Sequence, residues 1–199
     1  MDLQEEYYKR VNIIKSRLED FSKISKEEYF YEACFCILTP QSSAKQAWKC
    51  ILALKENDFF NKDVNPVNYL SDKIRFHNNK SKYLLELKGK WNVIMKKLDE
   101  IKDSYKLRNW LLENVKGFGL KECSHYLRNI GHHNLAILDR HILKNLHKHN
   151  VINELPKTLT KKRYFEIENK FKDFSSKIDI PMDELDLLFW SLETGEVFK

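Results

Sequence analysis

Lys116-Gly117-Phe118-Gly119-Leu120-Lys121 stands between two helical patterns, and the rest of this 199-residue chain is read outward from it. The chain has only five glycines, yet two of them fall here within three residues. Glycine lets a backbone turn tightly and approach another molecule with no Cβ in the way. Upstream, Ser104 can cap a helix over 105–115 that turns Leu107, Trp110 and Leu111 inward. Downstream, the spacing predicts a helix from Leu120 to Ile130, ended by Gly131. After a loop over 132–138, Asp139 is placed to cap a helix bearing Ile142, Leu143 and Leu146.

Helical spacing extends to both ends. Tyr7, Val11, Ile14 and Leu18 mark a first helix, and Ser25-x-x-Glu28 forms a capping box ahead of Tyr29–Ile37, which Pro40 stops. Ser42 or Ser43 can cap a helix through Ala47, Trp48, Ile51 and Leu54. Two further patterns lie near Lys80–Leu87 and Trp91–Ile101, with Gly89 as their separator. Thr160 opens an amphipathic helix with Tyr164, Ile167, Phe171 and Phe174, and Pro181 suits the first turn of a last one. No sustained alternating strand and no long repeat is visible. The expected fold is all-α: a two-lobed helical bundle of nine to eleven helices over residues 1–199, with a groove between the lobes and a helix–turn–helix hairpin at about 105–131.

Composition sets the outer limits. A hydrophobic fraction of 42% and 13% aromatics support a packed core, while 4 prolines and 5 glycines are too few for the turns of a β-sandwich or barrel. No apolar run approaches the roughly 20 residues of a membrane span, and the acidic start Met1-Asp2-Leu3-Gln4-Glu5-Glu6 does not read as a signal peptide. A cytoplasmic location is expected. Cys34, Cys36, Cys50 and Cys123 lack C-x-x-C spacing and make no four-cysteine run, so buried reduced thiols are expected rather than zinc, a disulfide framework or an iron–sulfur cluster. His132, His133, His147 and His149 lack paired acidic ligands, so they are read as solvated or phosphate-facing rather than as a metal site.

Charge is unevenly placed. Between Tyr105 and Asn150, eight basic side chains (Lys106, Arg108, Lys116, Lys121, Arg128, Arg140, Lys144, Lys148) face three acidic ones (Glu113, Glu122, Asp139), so this window holds +5 of the total +6. An anionic partner follows, and nucleic acid is the commonest. Val115-x-Gly117-x-Gly119 is the helix-hairpin-helix pattern, in which the start of the following helix offers amide N–H groups to a phosphate. Gly117, Gly119, Lys116 and Arg140 are the candidate contacts to the DNA backbone. A plain helix–helix turn is the alternative.

A lysine in the first turn of the second helix raises a chemical reading. That helix is about 15 Å long at 1.5 Å per residue, and the loop after it can span up to roughly 26 Å. Asp139 can therefore return to the end where Lys121 begins. A neutral lysine amine can attack C1′ of a nucleotide, expel the base and leave a Schiff base that undergoes β-elimination. An aspartate can steady the cationic sugar or accept a proton from the amine, and positive charge such as Arg140 favours the neutral amine. The alternative is a surface phosphate contact at Lys121 and a simple cap at Asp139.

Gly117-Phe118-Gly119-Leu120-Lys121-Glu122-Cys123-Ser124-His125-Tyr126-Leu127-Arg128-Asn129-Ile130-Gly131, then Ala136-Ile137-Leu138-Asp139-Arg140-His141-Ile142-Leu143, resembles the helix-hairpin-helix DNA glycosylase superfamily. Within it, the stretch is similar to the compact archaeal and thermophile-type 8-oxoguanine DNA glycosylase/AP lyases. The resemblance implies Lys121 as the Schiff-base lysine and Asp139 as the catalytic aspartate. It implies a branch without an iron–sulfur cluster, in a superfamily whose hairpin often holds a monovalent cation by backbone carbonyls. It also implies that the terminal Lys199 contacts the damaged purine. Trp190 is a stacking candidate beside the base, although Leu185, Leu188 and Phe189 fit a core helix around it. Gln41, in Leu38-Thr39-Pro40-Gln41-Ser42, corresponds by position to the loop that fills the gap left by a flipped base, and a plain turn is the alternative. Phe76, in Arg75-Phe76-His77-Asn78-Asn79, is a further pocket candidate.

The expected function is excision of 8-oxoguanine from duplex DNA, followed by strand cleavage through a lysine Schiff base, by a monomer working beside a prokaryotic chromosome. A same-fold glycosylase for oxidised pyrimidines and a non-catalytic DNA-binding module are the alternatives.

Overall fold

The computed structural model describes residues 3–199. Among them are ten helices and no strand, as the 3.6-residue periodicity predicts. The described chain divides into two units, one formed by the residues up to Lys23 with 127–199 and the other by 24–126. The division falls inside α7 (Leu120–Asn129).

The 24–126 unit is organised around α2 (Tyr29–Leu38), where nine of ten residues are buried. Its sequence, YFYEACFCIL, is apolar nearly all round, which suits a helix covered on every side. α3 (Ala44–Glu56) and α5 (His77–Glu100) pack against it. The Phe30 ring meets Trp91 edge-on at 5.2 Å and Phe60 at 4.8 Å, within the range where aromatic pairs add to simple burial. Ser43 caps α3 by accepting the Gln46 N–H. The expected capping box is displaced: α2 begins at Tyr29, residues 26–28 form a turn, and Glu28 ion-pairs with Lys55 instead. Asp103, not Ser104, caps α6 (Ser104–Asn114), accepting the Lys106 N–H at 2.7 Å. A carboxylate one residue earlier satisfies the same orphan amides. α4 (Val67–Leu70) is a single turn, too short for its periodicity to show in the sequence.

Gly89 does not divide the α5 region. The helix runs unbroken from His77 to Glu100, because Leu84, Leu87, Trp91, Ile94 and Leu98 form one buried stripe through the glycine. A Cβ built at Gly89 meets nothing within 4 Å. Gly89→Ala is therefore expected to stabilise the chain by roughly 0.5–1 kcal/mol, read as a rise in thermal midpoint of a few degrees without change in DNA binding.

The other unit joins α1 (Leu3–Ser22) to α8 (Arg140–Lys148), α9 (Lys161–Ile178) and α10 (Met182–Thr194). α10 is the shared partner, packing against α1, α8 and α9. Tyr7 and Ile14 of α1 are buried, and the Tyr7 hydroxyl donates to Glu184 at 2.5 Å. Pro181 stands just ahead of α10 rather than in its first turn. Inside this unit Arg128 pairs with Asp186 at 2.8 Å, both nearly excluded from water, and its guanidinium lies 5.0 Å from the Phe21 ring centre. All four cysteines are buried and outside any disulfide, and burial pushes the Cys34 and Cys123 thiols well up, so neither presents a thiolate for chemistry. Among the described residues, no helix is long and apolar enough to cross a membrane.

Candidate active site

The hairpin is built by α6, the turn 115–119 and the start of α7. Leu107 and Leu111 anchor α6, and Val115 and Phe118 tuck inward, Phe118 against Tyr126 at 5.7 Å. The Phe118 N–H closes the turn on the Val115 carbonyl at 3.2 Å. Gly117 has φ +88, a conformation that side chains disfavour, and a Cβ there would stand 2.7 Å from Tyr83 Cδ2. Gly117→Ala is expected to cost roughly 1–3 kcal/mol from backbone strain, with added loss from the clash, and to weaken duplex binding. Chemical denaturation and a salt-dependent binding titration check this.

Glu122 completes the turn. Its Oε2 accepts the Gly119 N–H at 3.0 Å, the reach-back half of a capping box, and its Oε1 lies 3.0 Å from the Lys121 ammonium. The Lys121 side chain is 23% exposed, so the amine is partly shielded yet reachable. Lys116 and Gly117 are exposed at the tip. Glu122 is not among the residues expected from the sequence, although its place three residues after Gly119 is the capping-box signal.

In the same unit the structure joins Gln41 and Phe76. Gln41 is exposed with φ +55; Phe76 is 50% exposed with φ +58, the Arg75 guanidinium 4.9 Å from its ring centre. Their connections are tied by Ser42 Oγ, which accepts the Arg75 N–H at 3.2 Å and a proton of the Lys80 ammonium at 3.1 Å. Burial pushes the Lys80 amine down to about 8, the charge of Lys121 acts in the same direction, and Glu122 opposes both. No signal in the sequence marks Lys80.

Asp139 belongs to the other unit. One carboxylate oxygen, Oδ1, accepts the His141 and Ile142 N–H groups, each at 2.8 Å. Oδ2 has no hydrogen bond among the described residues. Capping and chemistry are therefore compatible, because the cap occupies a single oxygen. The loop that delivers Asp139 is held rigidly. Glu168 Oε1 accepts the Ala136 N–H at 2.9 Å, the Tyr164 hydroxyl donates to the Ala136 carbonyl at 2.6 Å, and Asp183 accepts the Asn134 N–H at 3.1 Å. Arg140 follows Asp139 and is exposed, its Nε 3.2 Å from His141 Nε2.

At the chain end, Gly195 takes φ +85 and turns the tail back after α10, so Phe198 stacks on Trp190 with centroids 6.3 Å apart and planes at 29°. Lys199 follows directly. Leu185, Leu188 and Phe189 are fully buried, whereas Trp190 is only partly so. Phe198 is a second residue absent from the expected set.

Several expectations change. Arg108 and Arg128 are buried, Arg108 donating to Ser124 Oγ at 3.1 Å, so two of the eight basic side chains hold the fold rather than face an anion. His147 is exposed, in keeping with a solvated side chain, whereas His149 is half-buried. His147 Nδ1 lies 3.1 Å from the Ile152 carbonyl, and His149 stacks on Phe189 at 5.7 Å. His133 pairs with Asp183 at 3.3 Å, which raises its pKa.

Comparison with known proteins gives this arrangement a context. The model of a family described as 8-oxoguanine DNA glycosylase matches residues 14–180. An 8-oxoguanine DNA glycosylase/AP lyase of Fusobacterium nucleatum is 46% identical, covering 98% of this chain and 95% of its own. One from Methanocaldococcus jannaschii is 36% identical over 94% and 92%. The structure of a Methanocaldococcus jannaschii 8-oxoguanine glycosylase/lyase with a 15mer DNA containing 8-oxoguanine superposes with TM-score 0.89 at 33% identity, covering all of both chains. The Thermotoga maritima 8-oxoguanine DNA glycosylase superposes with TM-score 0.88 at 27% identity, covering 99% of this chain and 96% of that one. With matches spanning nearly its whole length and both halves of its motif, the chain belongs to the 8-oxoguanine DNA glycosylase family.

Proposed function

We propose that this chain excises 8-oxoguanine from duplex DNA and cuts the strand at the resulting site, with Lys121 as nucleophile and Asp139 as its catalytic carboxylate. The observation that carries the reading is Lys121 itself: a partly shielded amine on the first turn of α7, directly after a hairpin whose tip, Lys116 and Gly117, is exposed. The base has to leave the stack before C1′ can be reached. Lys121, parted from Glu122 and with its ammonium proton passed to water, attacks C1′; the bond from C1′ to the base breaks, and the base leaves as an anion that water protonates. The C1′–O4′ bond then breaks, O4′ takes up the proton lost by the attached amine, and a Schiff base joins C1′ and Nζ. Loss of a C2′ proton then breaks the C3′–O bond and releases the 3′ phosphate, a β-elimination. In this reading Asp139 offers Oδ2 to the developing positive charge on the sugar and to the amine proton, while Oδ1 keeps its cap.

Lys116, Gly117, Gly119 and Arg140 contact the DNA backbone in this reading. Gln41 fills the gap left by the base, Phe76 lines the pocket, and Trp190 and Lys199 receive the purine, with Phe198 holding Trp190 in place. No iron–sulfur cluster takes part. A monovalent cation at the hairpin belongs to the same proposal. The Val115 carbonyl supports it, since it accepts only the Phe118 N–H among loop amides and keeps a second lone pair to offer. The protein works as a monomer in a prokaryotic cytoplasm.

The test offers duplexes holding 8-oxoguanine opposite cytosine, an oxidised pyrimidine, or no lesion, and follows released base and strand scission. The expected result is 8-oxoguanine release and scission on the first duplex. Release of the pyrimidine instead favours the same-fold alternative. Binding without release from either favours a non-catalytic module.

A further inference from the structure

Lys80 is 5% exposed, an unusual place for a lysine. Its ammonium has three protons, and three acceptors meet them: the Leu38 carbonyl at 2.7 Å, the Pro40 carbonyl at 2.6 Å and Ser42 Oγ at 3.1 Å. Leu38 ends α2, where a helix leaves carbonyls without amide partners and favours a cation. Ser42 Oγ also accepts the Arg75 N–H. One ammonium and one hydroxyl thus bind the connection bearing Gln41 to the connection bearing Phe76. Both residues have left-handed backbone, and both are exposed. Such conformations persist where the surroundings over-determine them. Lys80 also occupies the first position of the Lys80–Leu84–Leu87–Trp91 stripe, where an apolar side chain would pack without burying a charge. The charge has a task there that packing alone does not give it.

We infer that Lys80 is a positioning residue for base excision, clamping the 38–42 and 74–77 connections into one rigid edge that presents Gln41 and Phe76 to the duplex. The inference rests on the proposed roles of Gln41 and Phe76. It makes a selective demand: extruding a base needs the edge, whereas a preformed abasic site has no base to extrude. Any influence of the Lys80 charge on Lys121 enters both reactions through the same nucleophile, so the ratio of the two rates isolates the clamp.

The experiment measures single-turnover excision from an 8-oxoguanine:cytosine duplex and cleavage of an abasic duplex, with Lys80→Met, Lys80→Arg, Ser42→Ala, Gln41→Ala and Phe76→Ala. The ratio of excision to abasic cleavage is expected to fall tenfold or more in Lys80→Met and to recover in part in Lys80→Arg, which restores the charged donors. Ser42→Ala should lower the same ratio less, and it serves as the measure should Lys80→Met not fold. A ratio that stays at the wild-type value in both Lys80→Met and Ser42→Ala overturns the clamp, even where both rates fall together. A ratio unchanged in Gln41→Ala and Phe76→Ala but lowered in Lys80→Met overturns the roles of those two side chains while upholding the clamp on the connections.

Discussion

Lys121→Gln is expected to lower both base excision and strand cleavage by at least about 10³-fold, the scale on which removing an enzyme's nucleophile acts, while duplex affinity changes little. The two halves of this expectation have separate causes. The substituted glutamine would keep most of the length of the side chain and its polarity, but it has no amine to attack C1′ and cannot form a Schiff base. In the proposed reading affinity comes from phosphate contacts along the hairpin, and the turn itself depends on Gly117, on the Phe118–Val115 bond and on the Glu122–Gly119 bond rather than on Lys121. Stability should also change little, because Glu122 keeps the Gly119 N–H as a partner when the ammonium is gone. Single-turnover kinetics beside a binding titration decide the matter. Excision that persists in Lys121→Gln would mean that water or another side chain is the nucleophile.

Asp139→Asn should slow the chemistry by roughly 10² to 10⁴-fold and leave the fold almost untouched. An asparagine oxygen can still accept the His141 and Ile142 amides, and asparagine caps helices about as well as aspartate. The lost feature is the negative charge carried by the uncapped oxygen. Asp139→Ala provides the contrast, since it removes the cap as well and should cost about 0.5–2 kcal/mol of stability. Thermal melts of both variants beside their excision rates separate the roles. If the Asn variant lost stability as steeply as the Ala variant, and activity only in proportion, Asp139 would be a structural cap.

Much of this could be read from the residues, for physical reasons. The hairpin was legible because Gly117 and Gly119 stand between apolar stripes, and Asp139 because a carboxylate precedes an amphipathic run after a loop. Those signals are local, and local backbone chemistry dictates them. Gly89 misled because a glycine reads as a stop, whereas the stripe from Leu84 to Leu98 passes through it and packing outweighs a modest local preference. Asp103 and Ser104 are neighbours that can both cap, so only geometry chose between them. Lys80 was illegible for a different reason. A lysine in the first turn of a helix reads as solvated, and the groups that draw it inside are carbonyls of residues about forty positions earlier. Arg108 and Arg128 were misjudged likewise, since net charge in a window says nothing about which guanidinium finds a buried partner. Phe198 lies one residue from the chain end, and only the turn at Gly195 brings it back onto Trp190.

The most direct measurement is covalent trapping. The wild-type chain is incubated with a duplex containing 8-oxoguanine opposite cytosine in the presence of borohydride, which delivers hydride to C1′ of the Schiff base and fixes the C–N bond. Digestion and mass spectrometry then locate the modified side chain. The account predicts a single adduct on Lys121, absent from Lys121→Gln. An adduct on a different lysine, or release of 8-oxoguanine with no adduct at all, would contradict it.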